Sequence, residues 1–123
     1  MSDPRTDLVQ GTLELLVLKT LAIEPMHGWG IAQRIQLLSR EVFLVPQGSL
    51  YPALVRMKRR GLLKTHWRMT AANRRARYYE LTTAGKRQLG VERDNWLRAS
   101  SAVNLILAAE GLAGAAGGGG GGA

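Results

Sequence analysis

The sequence predicts a mainly α-helical protein carrying one β-hairpin: three helices, the hairpin, then a long C-terminal helix. Three observations carry that expectation. Apolar residues recur at helical spacing in four segments, one stretch alternates with period two, and the net positive excess falls in the segment of the third helix and the hairpin. The chain has 123 residues and a formal charge of +8, from 17 Lys and Arg against 9 Asp and Glu. That length holds one domain, or one small domain with an appendage. Between positions 42 and 79 there is no acidic residue, yet nine basic ones occur: Arg56, Lys58, Arg59, Arg60, Lys64, Arg68, Arg74, Arg75 and Arg77. The remainder holds 8 basic and 9 acidic residues. So local a field implies a polyanionic partner, nucleic acid or an anionic membrane surface, with a merely solvated basic face as the alternative.

The first helix is expected from Leu8 or Gln10 to just before Pro25. Its Leu13, Leu15, Leu16, Val17, Leu18 and Leu21 point in nearly every direction, so it needs cover on all sides, part of it from a partner subunit. Met26-His27-Gly28-Trp29-Gly30 opens a second helix of about ten residues, with Ile31, Ile35 and Leu38 as its buried stripe. His27 is expected to order that entry. Val42 to Val45 reads as a short extended piece ended by Pro46. The third helix starts at Gln47-Gly48-Ser49, with Pro52 in its first turn, where a missing N–H costs little. Leu50, Leu54 and Met57 mark its core face, Gly61 stops it, and Ser49, Pro52, Val55, Arg56 and Arg59 form its outer side.

Leu63, Thr65, Trp67 and Met69 then alternate with Lys64, His66 and Arg68; Arg77, Tyr79 and Leu81 share a second alternating register. With the polar connection of residues 70–76 between them, these read as a β-hairpin with a basic tip, and residues 62–67 as core and hairpin packing. Thr82 or Thr83 caps a last helix reaching about Ala109, roughly 40 Å long. Leu89, Trp96 and Val103 recur seven apart along it, with Ala99, Ile106 and Leu107 beside them and Glu92 in a seam position. A domain of about 80 residues cannot cover such a helix, so its stripe is assigned to a second copy of the chain, folding back on its own domain being the alternative. After Glu110 the sequence becomes Gly-rich, with six consecutive Gly at 117–122, and is expected to be a flexible tail.

This order of elements is that of a winged helix-turn-helix with a dimerisation helix. The expected layout is an N-terminal arm at 1–7, the DNA-binding domain at 8–82, the dimerisation helix at 83–110 and the tail at 111–123. The cationic third helix would enter a DNA major groove and the hairpin tip an adjacent backbone or minor groove. Other chemistries have little support. There is no Cys, and only His27 and His66 among the histidines, so neither a metal nor a cofactor is assigned. Paired carboxylates, a Ser–His–Asp arrangement and a P-loop are all lacking, which argues against an enzyme. The start Met1-Ser2-Asp3-Pro4-Arg5 has no basic n-region, and the apolar run 13–22 is interrupted by Lys19; a cytoplasmic, nucleoid-associated protein is expected. A membrane surface fits poorly, because the basic segment lacks a helix with exposed apolar bulk.

The residues also carry a family resemblance. Gly11-Thr12-Leu13-Glu14-Leu15-Leu16, Met26-His27-Gly28-Trp29-Gly30-Ile31, Gly48-Ser49-Leu50-Tyr51-Pro52-Ala53-Leu54 and the run Arg74-Arg75-Ala76-Arg77-Tyr78-Tyr79-Glu80-Leu81-Thr82-Thr83-Ala84-Gly85 stand in the order found in PadR regulators. Residues 8–89 resemble that family, with Trp29 where a Tyr is usual. The resemblance implies a homodimeric repressor of the short, single C-terminal-helix branch, binding an inverted-repeat operator in double-stranded DNA. It makes the Gly-Ser-Leu-Tyr-Pro helix the recognition helix, with Tyr51 at the DNA surface, and allows a planar hydrophobic effector near the dimer axis.

The candidate DNA-binding residues are therefore Ser49, Tyr51, Pro52, Arg56, Arg59, Asn73, Arg74, Arg75 and Arg77. Tyr51 has a core-edge role as its alternative, Asn73 a turn-shaping one, and Arg77 a place along the hairpin face. Arg56 and Arg59 are open to phosphate contacts or to guanine readout. Trp96 is a candidate effector-pocket residue, or else an ordinary interface residue, and Leu89, Trp96, Val103, Ile106 and Leu107 are the candidate dimerisation set. A competing function is a ligand-sensing or protein-interaction module whose DNA affinity is incidental.

Overall fold

A computed structural model describes the backbone of residues 4–111 and the side chains of residues 12–111. Its elements are α1 (Pro4–Ile23), β1 (Met26–His27), α2 (Gly28–Leu38), α3 (Gln47–Arg59), β2 (Leu63–Met69), β3 (Arg75–Leu81) and α4 (Thr83–Ala108). The fold is mainly helical with a small antiparallel sheet of order β1-β3-β2. The chain divides into two compact units, Met1–Val91 and Glu92–Ala123. The first holds the three-helix core and the sheet; the second begins within α4. Residues 1–3 of the expected arm, and all but Gly111 of the expected tail, lie outside the described residues.

Helix α1 begins at Pro4, not at Leu8 or Gln10, so residues 4–7 are helical and not an arm. Proline suits a first helical position, where its N–H would have no partner and its fixed φ is already helical. Leu13, Val17, Leu18 and Leu21 are buried and Leu15 and Leu16 half-buried, because α1 lies against α2, α3 and β3 together. Its own domain thus supplies much of the cover for which the sequence suggested a partner. Thr20, a buried polar residue on this helix, donates its hydroxyl to the Leu16 carbonyl at 2.8 Å.

In α2 the buried residues are Gly28, Ile31, Ala32 and Ile35. Leu38, expected in that stripe, is 57% exposed. The stripe is centred between Ala32 and Ile35, and Leu38 falls on its flank at the last residue of the helix. The α2–α3 connection turns through Arg40 and Glu41, both with positive φ. Residues 42–45 form no strand; Val45 is buried and Phe43 packs on the core from the connection. On α3, Leu50, Leu54 and Met57 are fully buried, each contributing about 1.5–3 kcal/mol relative to exposure.

The sheet contains a strand that periodicity missed. Met26–His27 pairs with β3 in the register Met26↔Tyr79 and His27↔Tyr78. Two residues are too few to show alternation, so the segment read only as a helix entry. Strands β2 and β3 pair from Leu63↔Leu81 to Met69↔Arg75. Leu63, Tyr79 and Leu81 are buried at the root of the hairpin, whereas Trp67 is 53% exposed and lies outside the core packing expected for it.

The two ends of the hairpin meet at Thr82. Its N–H donates to the Leu62 carbonyl at 3.0 Å. Its hydroxyl donates to the Gly61 carbonyl at 2.6 Å and accepts from the Gly85 N–H at 3.0 Å, which caps α4. Gly61 has φ +77°, a left-handed conformation that a side chain would strain. Gly85 is needed for a different reason: a Cβ there would lie 2.2 Å from the Leu62 carbonyl oxygen.

Candidate nucleic-acid interface

The candidate interface draws on three elements of the first unit: the start of α2, the outer side of α3 and the hairpin. Along α3, Pro52, Val55, Arg56 and Arg59 are exposed, as expected of its outer side; Tyr51 is exposed as well, whereas Ser49, expected on that side, is half-buried because it sits on the flank of the core stripe. Pro52 stands in the second turn, not the first, since Pro46 is the N-cap and the Leu50 N–H already bonds its carbonyl. The pyrrolidine therefore removes one rung of the ladder, the N–H that the Gly48 carbonyl would accept. A Cβ at Gly48 would meet nothing within 4 Å, so the backbone of the first turn is open to close approach from outside.

Tyr51 is 41% exposed, yet one edge of it is committed. Its phenol lies over the bare backbone of Gly28, where a Cβ would come 2.4 Å from the Tyr51 Oη. The first residue of α2 and the second turn of α3 are thereby locked together. At this junction His27 caps α2, its Nδ1 accepting from the Gly30 N–H at 3.0 Å, in agreement with the ordering role expected of it. Burial pushes the pKa of the nearby Tyr79 phenol up, Tyr51 adds to the shift and Arg77 opposes it. Gly28→Ala is expected to lower the melting temperature while Tyr51 is present and to cost little in a Tyr51→Ala background. Thermal denaturation of the four proteins of that cycle checks the coupling, and additive effects would refute it.

The cations of α3 are not all presented alike. Glu14 of α1 holds Arg60 at 2.8 Å and stands 3.9 Å from the Arg56 Nε, while Arg59 is exposed and forms no ion pair among the described residues. Sequence reasoning paired neither Arg with Glu14, 46 residues away from Arg60, because that contact exists only through the α1–α3 packing.

At the hairpin tip, Asn73 has φ +60° and its N–H bonds the Thr70 carbonyl at 2.9 Å. Asn tolerates the left-handed region better than most residues, so Asn73 shapes the turn. Arg74 and Arg75 follow it, both exposed. The register places Arg77 directly opposite Trp67 and Arg75 one step along the same face. The Arg75 and Arg77 guanidinium carbons stand 4.7 and 5.2 Å from the Trp67 ring centre. Arg77 thus takes the place along the hairpin face that the sequence left open for it. On the opposite face Arg68 stands 4.5 Å over the Tyr78 ring and donates to the His66 Nε2 at 3.1 Å, while the His66 Nδ1 is 3.8 Å from Glu80. Trp67 and Tyr78, which carry these guanidinium contacts, are not among the residues expected at the site; alternation places Trp67 on a face, but only the register shows what stands across from it.

Beside β1 and α2 is a cavity of about 600 Å³ whose lining includes His27, Gln33, Arg34, Leu37, Arg68 and Tyr78. Trp96 does not line it; this residue is 43% exposed on α4. Of the candidate dimerisation set, Leu89 is half-buried and packs on the core of the first unit. Trp96, Val103, Ile106 and Leu107 are exposed, Leu107 by 77%. Among the described residues no group of three His, Cys, Asp or Glu could hold a metal ion, and no helix is long and apolar enough to cross a membrane.

A helical core with an arginine-bearing hairpin and a cationic helix has the charge pattern of a nucleic-acid-binding protein. Residues 17–91 match the model of the transcriptional regulator PadR-like family, and the chain belongs to that family. It is similar to a solved PadR-like transcriptional regulator from Bacillus cereus, at 26% identity and a TM-score of 0.74, covering 85% of this chain and 100% of that one. A PadR-like transcription factor from Bacteroides fragilis is 31% identical with a TM-score of 0.64, covering 81% and 94% of the two chains. A PadR family regulator from Clostridium difficile is 28% identical with a TM-score of 0.67, covering 79% and 99%. PadR-family regulators are not enzymes, in agreement with the sequence reading.

Proposed function

We propose that this regulator is a repressor that binds an inverted-repeat operator as a homodimer, using a winged helix-turn-helix. The observation that carries the reading is that the acid-free segment, residues 42–79, contributes the exposed side of α3 and all of the hairpin but its last two residues, Glu80 and Leu81. Helix α3 enters the major groove, where Tyr51 and Pro52 face the duplex and Arg56 and Arg59 reach phosphates or base edges. Ser49 and the open backbone at Gly48 allow the first turn to approach a phosphate closely. Asn73, Arg74, Arg75 and Arg77 bring the wing to the flanking backbone or minor groove.

The dimer rests on the exposed apolar side of α4. At 100° per residue, Trp96, Val103 and Leu107 share one stripe, which continues the line of Leu89, and Ile106 flanks it. Water-exposed Trp, Val and Leu in one line are an unfavourable surface for a monomer and a favourable one for a second copy. An effector with a flat apolar body would act at this stripe, where Trp96 has a ring available for stacking.

The reading is tested by titrating labelled duplex from the promoter of the chain's own operon, in parallel with random duplex, at physiological salt. Tighter binding to the promoter duplex by at least about 10³-fold is expected of a specific regulator. Equal affinity for both would leave only incidental DNA binding, as in a sensor or interaction module. Sedimentation at micromolar concentration should give a dimer, and Val103→Asp with Leu107→Asp a monomer; a monomeric parent protein would remove the homodimer.

A further inference from the structure

Trp67 has a half-exposed indole on a hairpin, beyond the buried root residues Leu63, Tyr79 and Leu81. Core packing does not explain a Trp there, and a large exposed aromatic on a strand is an aggregation hazard that something must offset. What it does have is two guanidinium groups, those of Arg75 and Arg77, 4.7 and 5.2 Å from its ring centre. Both cations therefore lie within about 10 Å of one another, roughly one Debye length at 0.1 M salt, where their repulsion is felt. The negative face of the indole opposes that repulsion, and each contact carries about a two- to fivefold factor at an exposed site.

We infer that Trp67 is a positioning residue that holds Arg75 and Arg77 together as one two-cation unit for duplex DNA. The inference rests on the reading of the hairpin as a DNA-contacting wing. Arginine side chains carry much rotamer freedom, and a cation that is already held in place loses less on binding. The cross-strand register fixes the arrangement: Trp67 is opposite Arg77, Arg75 is opposite Met69, and all four side chains share one face. The wing therefore presents its charge as a unit whose geometry is set by a neutral residue. On the other face Arg68 over Tyr78 repeats the device, so both sides of the hairpin hold an Arg on a ring.

The test is a double-mutant cycle read by fluorescence anisotropy on a labelled random-sequence duplex at low salt. Trp67→Ala should weaken binding roughly tenfold, the combined weight of two such contacts, and Trp67→Phe should lose only part of that. In an Arg75→Ala/Arg77→Ala background, Trp67→Ala should have no further effect. An equal loss in both backgrounds overturns the inference and makes the indole itself a DNA contact. If removing the two arginines leaves duplex binding unchanged, the DNA reading of the wing fails. In that case the stack is still decided without DNA. In the free protein the Arg75 and Arg77 Nε–H resonances should be shifted upfield by the indole and return to ordinary positions in Trp67→Ala. Unshifted resonances in the parent protein overturn the stack itself. Circular dichroism checks that each variant folds, and Trp67→Phe carries the test if Trp67→Ala does not.

Discussion

Gly85→Ala is expected to destabilise the first unit by about 3 kcal/mol or more, the upper range for forced overpacking. The new methyl would sit 2.2 Å from the Leu62 carbonyl oxygen and 3.2 Å from the Leu81 Cδ2. The leucine side chain can give way; the carbonyl cannot, because it accepts from the Thr82 N–H and belongs to the turn that follows Gly61. Relief would require the start of α4 to move off Leu62, breaking the cap bond from the Gly85 N–H to Thr82. Urea unfolding followed by circular dichroism gives the difference. A loss below about 1 kcal/mol would mean that α4 can shift at no great cost, contrary to the tight contact seen here.

Replacing Arg74, Arg75 and Arg77 together with Ala should have the largest effect on DNA. If each neutralises a phosphate, the slope of log affinity against log salt falls by about 3 in magnitude, and affinity near physiological salt drops by roughly two orders of magnitude. The fold should be nearly unaffected, since all three are exposed and surface changes are usually worth within about 0.5 kcal/mol. A variant with lower affinity but an unchanged slope would show that these arginines shape the wing without touching phosphates. Arg77 is the member with the strongest claim to that outcome, because it lies against Trp67.

Local chemistry and periodicity made much of this molecule legible. The core face of α3 follows from Leu50, Leu54 and Met57, the hairpin from its alternation and polar connection, and the start of α4 from Thr82 with Gly85 three residues on. The errors fall where the deciding information is not local. Leu38 obeys helical spacing but sits at the end of α2 beyond its cover, and β1 is too short to have a period. Helix α1 looked in need of a second chain because its apolar residues surround it, but α2, α3 and β3 contribute much of that cover. The candidate site divides the same way. Residue type and position marked Arg74 and Arg75, but the ring that Arg75 and Arg77 share is visible only through strand register. The restraint of Arg56 and Arg60 by Glu14 is visible only through helix packing.

The closure at Thr82 has a consequence for how this molecule can vary. The hairpin leaves the domain after Leu62 and returns at Thr82, and one residue fastens both ends through bonds to Leu62, Gly61 and Gly85. Seven paired positions, from Met69↔Arg75 down to Leu63↔Leu81, separate residues 70–74 from that fastening, so a change of length there is expected to leave it in place. The tip is thus a cassette: it can be shortened, lengthened or recoded, by evolution or by grafting, while the helical core keeps its shape.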